Sequence, residues 1–311
     1  LIALQLPGVS AYNESGRELT SDGLRALVGR TDPDGLGTSG LEKQFDELLA
    51  GVNGRQVREV SAKGQSIPAT QDNSVAAIPG KTLVTTIDRN IQFQVDGILA
   101  QQIARLQARS GTAIVMDSAT GEIYAMSTLR LNEDGTYSAD SGNIAAVEAN
   151  EPGSVAKVFS IAAAINEGKV DSTTVFKVPP TFFANKGTKW QQPINDAYPH
   201  GLEDMTVRKI IVDSSNVGTL MIGQTIGPDK LHDYLKSFGF GAKTAIDFPG
   251  ETKGILQPAD KWAGAKKFTT SYGYGYSATA LQLATIASLR CFHLARSSFS
   301  VGLSPLGFSG L

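Results

Sequence analysis

Ser154 and Lys157 stand three residues apart at the head of a run with helical apolar spacing: Val155, Val158, Phe159, Ile161, Ala162 and Ile165. Pro152 and Gly153 break whatever precedes them, and Asn166, Glu167 and Gly168 read as the exit, with Gly168 as a C-terminal cap. Residues three apart on a helix share a face, so the serine hydroxyl and the lysine amine are expected to be neighbours. A serine hydroxyl is a weak nucleophile until a base takes its proton. A lysine can be that base when burial or nearby positive charge makes its amine neutral. At the helix start, free backbone N–H groups and the helix dipole favour negative charge developing on Ser154. The pair could therefore perform nucleophilic catalysis. The spacing alone does not decide it: about one or two such pairs arise by chance in a chain of this length, and a capping serine beside a solvated lysine gives the same letters.

The 311 residues are 41% hydrophobic, enough for one large domain with its own core, or for a domain and a smaller partner. A net charge of −2 lacks the basic excess of a nucleic-acid binder, so no nucleic-acid partner is expected. One cysteine, Cys291, leaves no intrachain disulfide and no cysteine-rich metal site. His200, His232 and His293 are far apart and read as structural or exposed. There is no run of about twenty apolar residues and no signal peptide. The first residue is Leu1 rather than Met, and the chain is expected to be a fragment lacking its true N-terminus.

The elements that must position the pair can be read in order. Residues 1–62 show short strands, turns and one helix with the stripe Leu41, Phe45, Leu48 and Leu49, ended by Gly51. Before it, Gly35-Leu36-Gly37-Thr38-Ser39-Gly40 matches G-x-G-x-x-G, with Glu59 near the place of a ribose-binding acid. The polar turn in front of it is not the buried strand that fingerprint requires, so it is read as a decoy. Residues 63–80, with Pro68 and Pro79, read as a linker. A strand at 83–87 and a helix from Asp88 through Leu106, broken at Gly111, come next. Strands at 112–117 and 122–126 flank the turn Ser118-Ala119-Thr120-Gly121. A hairpin after a helix points to an α+β sheet. Residues 130–153 are polar and loop-like and contain the decoy Ser141-Gly142-Asn143, and 171–205 read as an irregular excursion. Helices are expected at 206–212, 217–226 and 230–238, the first broken at Asp213-Ser214-Ser215-Asn216 and the last ended by Gly239 and Gly241.

Ser154-x-x-Lys157 followed by Ser214-x-Asn216 is the motif order of penicillin-binding proteins and serine β-lactamases. Asp213-Ser214-Ser215-Asn216-Val217-Gly218, Phe238-Gly239-Phe240-Gly241, Asp247-Phe248-Pro249-Gly250-Glu251 and Ser271-Tyr272-Gly273-Tyr274-Gly275 with Leu281-Gln282-Leu283 follow in register. With Glu151-Pro152-Gly153-Ser154 and the hairpin, the chain closely resembles a class B penicillin-binding protein over roughly residues 30–286. Gly40-Leu41-Glu42-Lys43-Gln44-Phe45-Asp46, with Leu49 and Gly51, resembles the end of that family's N-terminal dimerisation or pedestal domain. The resemblance implies an α+β, β-lactamase/transpeptidase-like fold, an antiparallel sheet flanked by helices with the C-terminal strands missing. Residues 1–62 would then be part of the dimerisation domain, 63–80 the linker, 81–289 an incomplete transpeptidase domain and 290–311 an unassigned tail.

It also implies roles. Ser154 attacks a substrate amide to form an acyl-enzyme, and Lys157 is the leading candidate to accept its proton. Ser214 relays a proton toward the leaving amine, and Asn216 bonds the substrate backbone and Lys157. The substrate implied is the D-alanyl-D-alanine end of a peptidoglycan stem peptide, with β-lactam antibiotics as covalent ligands. Membrane divisome or elongasome proteins are the expected partners. The setting is an anchored domain outside the cytoplasm, and no cofactor or metal is implied.

Two departures stand out. No K-T-G or K-S-G occurs in the chain; Lys243-Thr244-Ala245 comes close but falls before the Asp247-to-Glu251 stretch, too early for that role. Beyond Leu289 the resemblance stops, and a tail rich in Ser, Leu and Phe is expected to reflect a frameshifted or truncated reading. A D,D-carboxypeptidase or β-lactamase-like hydrolase, and a catalytically incomplete binding or scaffold fragment, stay open as alternatives.

Overall fold

The computed structural model describes residues 22–55, 67, 75–139 and 142–290. Glu59, most of the expected linker, Ser141, Cys291, His293 and the tail beyond residue 290 lie outside them.

The N-terminal part begins with short helical turns and a hairpin pairing Arg30–Thr31 with Gly37–Ser39. The glycine-rich stretch is thus one arm of a hairpin leading into a five-residue helix, Gly40–Gln44, without the buried parallel strand of a nucleotide site. The expected single helix over the Leu41 stripe is two, Gly40–Gln44 and Asp46–Leu49, because Phe45 leaves helical geometry between them. Residues 75–78, at the end of the expected linker, pair antiparallel with 52–55 through bridges Val52 to Ile78 and Arg55 to Val75.

No strand forms at 83–87. That segment leans on the hairpin by single bonds, from Thr86 Oγ1 to the Ile123 carbonyl (2.7 Å) and from the Asp88 N–H to the Tyr124 carbonyl (2.9 Å). Asp88 then starts helix α1 (Arg89–Leu106) as an N-cap, its Oδ1 accepting from the Asn90 and Ile91 N–H groups. Left-handed Gln107 ends it. Gly111 lies inside the next strand instead of breaking the helix.

Strands β1 (Ser110–Met116) and β2 (Ile123–Leu131) form the expected hairpin, and β3 (Tyr137–Ala139) adds a third antiparallel strand from the region read as a loop. Five consecutive residues of β2, Ala125 to Leu129, are buried, so both faces of the sheet are covered. Buried Gln92 of α1 clips helix to sheet: its Oε1 accepts the Met126 N–H (2.9 Å) and its Nε2 donates to the Met126 carbonyl (3.2 Å).

Helix α2 (Lys157–Asn166) runs between two cores. On one side Ile161 and Ala164 join Val178, Ile194, Met205, Ile210 and Leu220. On the other, Phe159 packs against Phe238 and Phe240, each ring centroid 5.3 Å away. The excursion at 171–205 is ordered into two antiparallel pairs: β4 (Val175–Val178) with β7 (Glu203–Thr206), and β5 (Thr181–Ala184) with β6 (Gln192–Asn195). Its strands are four residues long, too short to leave a period-two pattern in the sequence. Helix α3 (Val207–Val212) follows, capped by Thr206. The two helices expected next form one element, α4 (Asn216–Phe238), kinked at Gly227 and Pro228 and closed by left-handed Gly239. All strand pairings described are antiparallel, which is the expected α+β architecture.

Phe159→Ala should lower unfolding stability by about 3–5 kcal/mol, since it empties a ring-sized volume between α2 and the Phe238 and Phe240 rings at the end of α4. Denaturant unfolding of both proteins measures the difference.

Candidate active site

The turn carrying Ser154 is held from outside its own element. Gly153–Ala156 is a 3-10 turn running into α2, so the expected helix begins one turn tighter than an α-helix. Two contacts pin it to the segment after Tyr272. The Gly153 N–H donates to the Gly273 carbonyl (3.0 Å), and the Gly275 N–H donates to Glu151 Oε1 (2.6 Å). Gly273 has φ +97°, and a Cβ there would lie 1.9 Å from the Gly153 carbonyl oxygen, so only glycine fits. Ser154, Val155 and Val158 are exposed on the outer face of this turn.

Lys157 points the other way and is only 3% exposed. Its ammonium donates to Ser214 Oγ (3.0 Å) and to the Ser214 backbone carbonyl. Burial disfavours the charged form and brings the amine down to about 8, while the negative charge of Asp196 acts in the opposite direction.

Ser214 sits where α3 ends. Its N–H donates to the Ile211 carbonyl (3.1 Å), the next N–H to the Ile210 carbonyl (2.9 Å), and its φ is +53°, unusual for a residue with a side chain. This conformation turns carbonyl and hydroxyl onto one amine. Ser215 then caps α4, its Oγ accepting the Gly218 N–H (2.8 Å). The Asp196 carboxylate receives the Ser215 hydroxyl (2.6 Å) and the Val217 N–H (2.9 Å).

Of the four residues named from sequence, Lys157 and Ser214 are thus in direct contact, and Ser154 lies one turn before Lys157. Asn216 is adjacent, but its side-chain amide donates to the Asn195 carbonyl on β6 (2.9 Å), whereas a bond to Lys157 was expected. The near match Lys243-Thr244-Ala245 is engaged elsewhere: the Thr244 N–H and hydroxyl both donate to Glu251 Oε1, each at 2.6 Å. Sequence reading quoted Glu151 and Gly273 within matching stretches without giving either a role, and it missed Asp196. Asp196 lies 19 residues before Ser215 with no motif spacing to mark it.

A family model described as penicillin binding protein transpeptidase domain matches residues 111–289, and one described as penicillin-binding protein dimerisation domain matches 4–85. Penicillin-binding protein PbpB of Mycolicibacterium smegmatis is 35% identical over 292 residues, covering 91% of this chain and 44% of the relative. A probable peptidoglycan D,D-transpeptidase, PenA of Neisseria gonorrhoeae, is 32% identical over 268 residues, covering 83% of this chain and 44% of the relative. The structure of penicillin-binding protein 3 of Mycobacterium tuberculosis complexed with ampicillin superposes with a TM-score of 0.71 at 33% identity, covering 86% of this chain and 55% of that one. The chain therefore spans less than half the length of these two curated relatives.

The Lys157 amine should titrate near 8 instead of the ordinary lysine value of 10.5. NMR of isotope-labelled lysine side chains across a pH series reads it directly, and a midpoint above 10 would contradict the burial described.

Proposed function

Since the chain belongs to the penicillin-binding protein transpeptidase family, we propose that it carries the acylation centre of a peptidoglycan D,D-transpeptidase, with Ser154 as nucleophile. The observation supporting this is the buried Lys157 amine, held by Ser214 at 3.0 Å, one turn from an exposed serine.

In the proposed reaction Ser154 Oγ attacks the carbonyl between the two D-alanines of a stem peptide, and Lys157 Nζ takes the hydroxyl proton. The Ser154 backbone N–H faces the oxyanion as one donor. The C–N bond then breaks, and the leaving amine of the terminal D-alanine receives a proton from Lys157 by way of Ser214 Oγ. The ester on Ser154 is next attacked by an amine of a neighbouring stem peptide: the new C–N bond forms and Ser154 Oγ leaves, recovering its proton. A β-lactam carbonyl would be captured by the same first step. Asn216, fixed by Asn195, orients the substrate backbone. We assign 81–289 to the transpeptidase domain, 1–62 to the dimerisation domain and 63–80 to the connection between them. Attachment to the membrane, an extracytoplasmic setting and division or elongation partners belong to the same proposal. Among the described residues no helix is long and apolar enough to cross a membrane.

The absence of K-T-G favours one second reading, a fragment that folds but does not complete acylation.

Fluorescent penicillin should attach to Ser154, mapped by mass spectrometry, and Ser154→Ala should abolish it. Lys157→Met should slow labelling by at least a hundredfold. Labelling should rise with pH up to a plateau above about 8, because the neutral amine is the base and only about a tenth of it is neutral at pH 7. A well-folded wild-type protein that takes no label supports the incomplete fragment. With a D-alanyl-D-alanine peptide and an acceptor amine, a cross-linked product supports transpeptidation, and free acid alone supports a hydrolase.

A Gly273→Ala change should displace Gly153 and lower the labelling rate more than tenfold, since both the left-handed backbone and the 1.9 Å approach forbid a Cβ. Labelling kinetics beside a melting curve separate this from global unfolding.

A further inference from the structure

His200 and Asp196 stand outside the four residues assigned above, on the excursion between β6 and β7. Their side chains are 15% and 8% exposed. His200 Nδ1 lies 2.7 Å from the Gly201 carbonyl oxygen, and Nε2 lies 3.1 Å from Asp196 Oδ2. A carbonyl oxygen only accepts. The Asp196 oxygens already receive two donors, the Ser215 hydroxyl on Oδ2 and the Val217 N–H on Oδ1, the environment of an ionised carboxylate. A neutral imidazole has one N–H and one lone pair, so it would set that lone pair against one of these oxygens. The imidazolium satisfies both.

We propose that the His200 imidazolium and the Asp196 carboxylate form a positioning pair that locks the Ser214–Val217 turn onto Lys157, their two charges acting on the Lys157 amine with opposite sign. The proposal rests on the reading of Lys157 as the base for Ser154. The pair reaches the site by two routes. Mechanically, Asp196 holds the Ser215 hydroxyl and the Val217 N–H, which fixes the first turn of α4 and leaves Ser214 in its left-handed conformation. Electrically, Asp196 favours the Lys157 ammonium, and a positive charge on His200 beside Asp196 would offset it.

Other ionisable groups are near. A cavity of about 400 Å³ beside the pair is lined by Tyr198, Glu203 and Asp213. Lys209 bridges Glu203 (3.3 Å) and Asp213 (2.5 Å). Tyr272 comes from the segment packed on the Ser154 turn. All of these stay constant when only Asp196 or His200 is changed.

The test uses the full chain with Asp196→Asn and His200→Gln. NMR of labelled lysine follows the Lys157 midpoint in each. Loss of the negative charge in Asp196→Asn should lower it, and loss of the positive charge in His200→Gln should raise it, each by roughly half a pH unit. The rising limb of the pH profile for penicillin labelling should move in the same two directions. A contact that only packs the turn would change melting temperature and rate in both variants without opposite displacements, and that result overturns the pair. Nitrogen-15 NMR of the wild-type His200 ring is an arm independent of any variant's folding. Two N–H signals are expected from the paired ring, and a single protonated nitrogen would exclude the imidazolium. Opposite Lys157 displacements in a protein that takes no penicillin would leave the positioning pair standing and count against the transpeptidase reading instead.

Discussion

A lysine amine taken out of water is the constraint on which the rest of the site depends. Burial of Lys157 disfavours its charge, and that suits it to the proposed role of base near neutral pH. Buried without partners, the same amine would be costly. Ser214 supplies two acceptors from one residue, its carbonyl and its hydroxyl. To present both it adopts a left-handed backbone, a strain on the order of 1 kcal/mol that only a well-fixed neighbourhood maintains.

That neighbourhood is built from helix ends. The end of α3 receives the Ser214 and Ser215 N–H groups, and Ser215 caps the start of α4. Ser214 is therefore suspended between two rigid elements. Each is anchored in the core shared with α2, through Ile210 from α3 and Val217, Leu220 and Ile222 from α4. Fully buried Ala163 and Ala164 on α2 are small enough to let α2 and α4 pack closely. The short distance from Lys157 to Ser214 is thus a consequence of helix packing, not of any flexible reach of the lysine.

The side carrying Ser154, the proposed nucleophile, follows a different principle. Ser154 is exposed, as the proposed attack on a substrate requires, so burial cannot hold it in place. Its turn is tied down by backbone contacts with Gly273 and by Glu151 reaching the Gly275 N–H. One face of a single helix origin is therefore open and the other is dry. Substrate access and a depressed amine coexist three residues apart.

The sequence by itself determined the local chemistry: the Ser154 and Lys157 spacing, the start of α1 at Asp88, the hairpin tip, and the interruption between the helices at 217–226 and 230–238. Caps, turns and breaks are settled by adjacent residues, so consecutive letters suffice to read them. It also announced Ser214-x-Asn216 as a partner motif, though not which of its groups meets Lys157. The tertiary structure alone decided that the amine turns to Ser214 while the Asn216 amide turns to Asn195, that 171–205 folds into paired strands, and that Asp196, His200, Glu151 and Gly273 serve the site. Those outcomes depend on which distant segments return to the same place and exclude water there. Burial of a charge, and the pairing that makes it tolerable, are properties of that return and leave no spacing in the chain.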